Sequence, residues 1–100
     1  MIAIEQTDEF DEWLDRLRDS RARARIDRRI LRLRHGNPGD VRPVGQGVSE
    51  LRIDYGPGYR VYFFHRSQVV IFLLAGGDKR TQARDIDLAI ALANAIRSSA

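Results

Sequence analysis

Residues 50–82, ELRIDYGPGYRVYFFHRSQVVIFLLAGGDKRTQ, decide how this chain folds. The stretch predicts three antiparallel strands, at 49–54, 59–66 and 69–75, closed by a loop that carries Lys79 and Arg80. Cations alternate with apolar side chains along it: Arg52 lies between Leu51 and Ile53, and Arg60 between Tyr59 and Val61. Successive side chains on a strand point to opposite faces, so one face is buried and the other shows Arg and Tyr. Arg60 and Tyr62 share one parity, and Tyr59 and Val61 the other, which is assigned to the core. A face lined by Arg and Tyr suits a phosphate backbone with stackable bases, which points to RNA or a partner that mimics it.

Gly56-Pro57-Gly58 makes the first turn of this unit, because glycine allows positive φ and proline fixes its own. Residues 66–68 make the second. The run Val69-Val70-Ile71-Phe72-Leu73-Leu74 is apolar on both faces and is expected to be the central, most buried strand. Upstream, residues 2–6 alternate as a short first strand, and Thr7 is placed to cap a helix whose Phe10, Trp13, Leu14 and Leu17 form one apolar stripe. Asp19-Ser20 breaks that pattern. A second helix turns Ile26, Ile30 and Leu33 inward, is coated with Arg21, Arg25, Arg28, Arg29 and Arg32, and ends at Gly36. Residues 41–48 look like a Gly-rich approach to the sheet. After Gly76-Gly77 a last helix starts near Thr81, with Ile86, Ala89, Ile90, Ala93 and Ile96 at helical spacing and Leu88, Ala91, Leu92 and Ala95 as a second apolar row. The expected fold is α+β: an N-terminal helical hairpin packed on one face of a small twisted antiparallel sheet, with a C-terminal helix.

At 100 residues the chain is expected to form a single domain over 1–100. Absence of cysteine excludes disulfides and thiolate metal sites and suits a reducing cytoplasm. The longest apolar run is too short to span a membrane, and the acidic start is unlike a signal peptide, so a cytoplasmic location with no membrane partner is expected. The net charge of +3 hides an asymmetry. Residues 1–19 hold seven acids against Arg16 and Arg18, whereas residues 20–47 hold eight arginines against Asp27 and Asp40. A basic body of this kind suggests a polyanion or an acidic protein as partner, the alternative being a solvated helix surface.

The sequence has no phosphate-binding glycine loop, no His pair at metal-ligand spacing and no thiol, and no cofactor or metal is expected. RNA can be cut with cations alone. The ribose 2′-oxygen must be activated, charge on the phosphate stabilised and the leaving oxygen protonated; arginine forks grip phosphate oxygens in pairs. If the strands pair as predicted, Arg52, Arg60, Lys79 and Arg80 converge, and Lys79, the only lysine, is the candidate proton donor or acceptor. The competing reading for each is a surface charge or a salt bridge to Glu50, Asp54 or Asp78. Tyr62 and Tyr55 are candidate base-stacking residues, Gln82 a candidate for a base edge, and His65 a further RNA-contact candidate at a strand end.

The segments ELRIDYGPGYRVYF and LLAGGDKRTQARDI, with the EFDEWLDRL start and HGNPGD link, resemble the RelE/ParE superfamily of type II toxins, in particular its HigB-like addiction-module killer branch. The resemblance implies a toxin that is a metal-independent, ribosome-dependent mRNA endonuclease and arrests translation. The alternative it carries is a ParE-like, non-enzymatic inhibitor of a protein such as DNA gyrase. It also implies a cognate helix-turn-helix antitoxin, mRNA on the ribosome as target, and contact with DNA only through the antitoxin. Arg60 matches the arginine of the family's YR motif and Lys79-Arg80 its loop cations. Two positions depart from the pattern: Glu50 stands where a second basic residue is expected, and Ile86 where the family's tyrosine falls.

Overall fold

The computed structural model describes residues 1–99. Its elements are β1 (Ala3–Gln6), α1 (Asp8–Arg16), α2 (Ser20–Arg34), β2 (Val41–Gly45), β3 (Val48–Ile53), β4 (Tyr59–Ser67), β5 (Val70–Gly77) and α3 (Gln82–Ser98), with a 3₁₀ turn at Lys79–Thr81 leading into α3. The five strands form one sheet in the order β1-β5-β4-β3-β2. The fold is α+β with three helices, the last C-terminal.

Four features differ from the sequence reading. The sheet is mixed: β1 runs parallel to β5, while the other neighbours are antiparallel. The Gly-rich approach is a strand, β2, which pairs with β3 through a bulge between Pro43 and Gly45. Its edge position tolerates Pro43, whose missing N–H would break an interior ladder. The centre of the order is β4, with β5 beside it. Finally, the helices cover both faces. Leu51, Ile53, Val61, Phe63, Ile71 and Leu73 pack with Phe10, Ile26 and Leu33 from α1 and α2. Val48, Tyr62, Phe64 and Leu74 pack with Ala89 and Ala93 from α3. Strand periodicity separates the two sets correctly but does not say that both are covered.

Local signals hold well. Thr7 Oγ1 accepts from Phe10 N at 3.1 Å and donates to Leu74 O at 2.6 Å, so the cap of α1 is also its tether to β5. Asp19 caps α2 by accepting from Arg21 N and Ala22 N. The bond from Ala22 leads the effects that hold the Asp19 carboxyl below its ordinary value. α1 packs chiefly on β5 and α2 on β3. The outer row of α3 stays open to solvent, with Leu88 and Ala91 exposed. Among the described residues no helix is long and apolar enough to cross a membrane.

Gly76 allows the closest approach between α1 and the sheet. A Cβ there would lie 2.1 Å from Trp13 Cε3, far inside contact distance. Gly76→Ala is therefore expected to cost about 1–3 kcal/mol by overpacking. Urea denaturation checks this: the midpoint should drop, and Trp13→Leu in the same chain should recover part of the loss. An unchanged midpoint for the single variant would contradict the close packing.

Candidate functional site

The register of β3 against β4 places Arg52 opposite Arg60 and Glu50 opposite Tyr62. All four lie on the sheet face covered by α3, near the helix's N-terminal end. Glu50 is 1% exposed, a carboxylate withdrawn from water. Such a group is costly unless paired and hydrogen-bonded. Its Oε2 accepts from Tyr62 Oη and from Gln82 Nε2, both at 2.9 Å. Arg60 Nε stands 3.6 Å from the same oxygen, and Arg52 Nε 3.9 Å from Oε1. One carboxylate thus joins β3, β4 and the first residue of α3. Burial, then the Glu50 hydrogen bond, pushes the Tyr62 phenol up, so it remains a neutral donor.

Arg52, Arg60 and Lys79 line one cleft of about 370 Å³, with Asp40, Asp54 and Gly58 completing its rim. Each cation comes from a different element: β3, β4 and the 3₁₀ turn. The turn is fixed by Asp78, whose carboxylate accepts from Arg80 N at 2.8 Å, while Thr81 Oγ1 accepts from Asp78 N at 3.3 Å. Arg60 donates through Nη1 to Gly58 O at 2.5 Å. Gly58 has a φ of +82°, and a Cβ on it would meet Arg60 Nη1 at 3.0 Å, so glycine is needed for both conformation and space. Arg60 is only 6% exposed, and its Nε has no hydrogen-bond partner among the described residues. Arg52 is partly exposed and Lys79 exposed, so these two are the solvent-accessible cations of the cleft.

The other sequence candidates lie elsewhere. Arg80 does not line the cleft: its side chain is 82% exposed and pairs with Asp78 at 3.1 Å. That hydrogen bond leads the effects lowering the Asp78 carboxyl and raising the Arg80 guanidinium. Tyr62 shares a face with Arg60 as expected, but its ring is fully buried beneath α3, so no base can stack on it. Gln82 is committed to Glu50 rather than presented to a base. Tyr55 sits at the opposite side of the turn, under the Arg25 guanidinium at 4.6 Å from the ring centroid, with its hydroxyl 3.1 Å from Asp19 Oδ2. His65 is exposed near Arg66 and Arg97, away from the cleft.

Sequence reasoning offered Glu50 and Asp54 as salt-bridge partners of the cations, and Glu50 does pair with Arg52 and Arg60; it missed Asp40 on the rim and the hydrogen bonds that make Glu50 the anchor. The signal was present, since pairing Arg52 with Arg60 also pairs Glu50 with Tyr62. A second cavity, of about 360 Å³, lies between α1 and the start of α3, lined by Glu9, Glu12, Trp13, Arg84 and the buried Asp85 among others. None of the sequence candidates lines it. Among the described residues no group of three or more His, Cys, Asp or Glu is placed to hold a metal ion.

Removing the anchor tests this arrangement. Glu50→Ala leaves the Tyr62 hydroxyl and Gln82 without their shared acceptor and Arg60 without its counter-charge, and breaking a buried pair on one side costs about 3–5 kcal/mol. Chemical denaturation should show that loss, with a smaller one for Glu50→Gln, which keeps an acceptor oxygen. Equal stability of Glu50→Ala and the native chain would show that the carboxylate does not hold the site together.

Comparison with known proteins is consistent with this geometry belonging to a family. A protein of Haemophilus influenzae described only as uncharacterised is 51% identical over 92 residues, which is 92% of this chain and 93% of that protein. The family model described as Phage derived protein Gp49-like (DUF891) matches residues 12–95, a span that contains the Glu50 network and all three cleft cations. The chain belongs to this phage-derived, Gp49-like family.

Proposed function

We propose that this protein is the toxin of a type II toxin–antitoxin pair, of the RelE/ParE superfamily and its HigB-like branch, and that it cuts messenger RNA on the ribosome without a metal ion. The observation that carries the reading is the meeting of Arg52, Arg60 and Lys79 in one cleft, with Arg60 held by a buried carboxylate. Cations fixed before the ligand arrives need little reorganisation as charge develops on the scissile phosphate. Arg52 and Arg60 are assigned to the non-bridging phosphate oxygens. The 2′-oxygen attacks phosphorus as the bond to the 5′-oxygen breaks, leaving a 2′,3′-cyclic phosphate and a 5′-hydroxyl. The 2′-hydroxyl proton passes to a rim carboxylate, Asp40 or Asp54, and Lys79 supplies the proton that the 5′-oxygen takes up. The resemblance through GPGYRVYF and GGDKRTQ and the Gp49-like family support the toxin reading.

A specific observation favours a second reading. Arg60 is nearly enclosed and already engaged with Glu50 and Gly58, and Tyr62 and Gln82 are not available to RNA. A ParE-like inhibitor that binds a protein such as gyrase would need no catalytic cleft. Induced expression separates the two. The endonuclease reading expects growth arrest with transcripts cut within codons and no effect of EDTA on cleavage in extract. Arg60→Ala is expected to lower the rate on the order of 10²–10³-fold. Lys79→Ala, a change at an exposed side chain, is expected to lower it about 10²–10⁴-fold with an unaltered fold. Arrested growth with every transcript intact, or toxicity unchanged by both variants, would sink it in favour of the inhibitor.

A cognate antitoxin is part of the proposal. A cleft with three cations leaves a surface that an acidic segment can neutralise. Co-expression with the neighbouring gene should rescue growth, and the two chains should co-purify. A neighbour that does neither removes the toxin–antitoxin reading.

A further inference from the structure

The function proposed above uses the cleft and leaves the strongest charge concentration of the molecule unexplained. Arg25, Arg28, Arg29 and Arg32 recur at i, i+3, i+4 and i+7 on α2, so all four share one helix face over about 10.5 Å of its axis. They surround a depression of about 240 Å³ whose remaining wall is Ile53 and Asp54. Those same two residues, at the end of β3, also line the cation cleft, so the hollow on the α2 side and the cleft on the α3 side adjoin around the end of the strand.

The arginines are not neutralised. None has a carboxylate within ion-pair distance among the described residues. Arg29 and Arg32 crowd the turn at Gly39, where a Cβ would lie 3.1 Å from Arg29 Nη2 and 3.3 Å from Arg32 Nη2. Such crowding of like charges is relieved by a bound anion. Arg29 itself is built in. It donates to Pro38 O at 2.9 Å through Nη2 and to Arg52 O at 2.5 Å through Nη1. The residue whose carbonyl it holds is therefore one of the three cations of the cleft. Arg25 is braced on the Tyr55 ring. Arg28 and Arg32 remain exposed.

We propose that the arginine face of α2 continues the cleft as a track for the phosphate backbone of an RNA strand, so that successive phosphates lie on Arg28 and Arg32 while the scissile one lies at Arg52 and Lys79. This rests on the reading of the cleft as an RNA site. Continuity is what favours RNA over an acidic protein: one chain with a charge at every unit spans both hollows, and guanidinium forks match its phosphates.

The test measures binding apart from cutting. The full chain and the double variant Arg28→Ala/Arg32→Ala are titrated with a fluorescent 2′-O-methyl oligoribonucleotide, which cannot be cleaved, across a salt series. Each phosphate contact on a single strand contributes a slope of about 0.7 in log affinity against log salt. The double variant should lose about ten-fold in affinity at low salt and about 1.4 in slope, while a dinucleotide that fills only the cleft binds both proteins alike. Arg28→Lys/Arg32→Lys should restore the slope, and an unshifted melting midpoint should accompany all of them. Unchanged affinity and slope for the long strand overturns the track. So does RNA binding that persists in the double variant while its binding to polyglutamate is lost, which assigns the face to an acidic protein. A track-dependent slope in a protein that leaves transcripts intact would uphold the track and remove the endonuclease. Cleavage with an unaltered slope would do the reverse.

Discussion

A carboxylate taken out of water between two strands is the constraint around which the rest of this molecule is arranged. Glu50 is 1% exposed, and its Oε2 collects a phenol, an amide and the flank of a guanidinium. Alone in a low-dielectric interior it would be among the most expensive groups the chain could place there. Its partners come from β3, β4 and α3, so satisfying it fixes the pairing register of the strands and the starting point of the helix together. A slip of one residue would turn Tyr62 and Arg60 away and leave the charge orphaned. The polar network is thus a device of specificity as much as stability, and it leaves Arg60 poised on the wall of the cleft.

The fold was largely legible because its decisive signals are local. The Gly56-Pro57-Gly58 turn sets β3 against β4, Thr7 starts α1, and Gly76-Gly77 clear the space under Trp13 and before Asp85. Parity then put Arg60 and Tyr62 on one face, and the structure keeps them there. What parity does not contain is the identity of the layer above. α3 lies over that face, so Tyr62 becomes core and Gln82 becomes its neighbour's hydrogen-bond donor. The same limit explains β1, four residues whose parallel pairing with β5 depends on a crossover of most of the chain. For β2, Pro43 and Gly45 hid a strand because the sequence does not mark an edge position, where both are tolerated.

Of the four cations expected to converge, three line the cleft and the fourth, Arg80, does not. Arg80 adjoins Lys79, but side chains of adjacent residues diverge, and Asp78 accepts both the backbone N–H and the guanidinium of Arg80. The acid that ties Arg80 down is the one that caps the turn, so the geometry that presents Lys79 is the geometry that withdraws Arg80. Glu50 departs from the family pattern, which has a basic residue there, and the sequence also offers it as a salt-bridge partner for the cations. In the structure it is the counter-charge that lets Arg60 stand buried at all.

The long-range electrostatics follow the same division of labour. α1 carries Asp8, Glu9 and Asp11 in its first turn, where they favour the helix dipole, and Glu9 and Glu12 face the cavity opposite the start of α3. The arginine face of α2 and the cation cleft meet at Ile53 and Asp54. Acid is therefore concentrated on α1 and base on α2 and the cleft, although Asp40 and Asp54 stand at the cleft and Arg16 and Arg84 line the acidic cavity. Segregated charge repels a polyanion from one side and draws it to the other, which fixes orientation during approach more than it adds to final affinity. Interleaving the same residues would give the same net charge of +3 with no such direction. Arg29 ties the two charged regions together: by donating to the carbonyl of Arg52 it links α2 directly to the strand that lines the cleft.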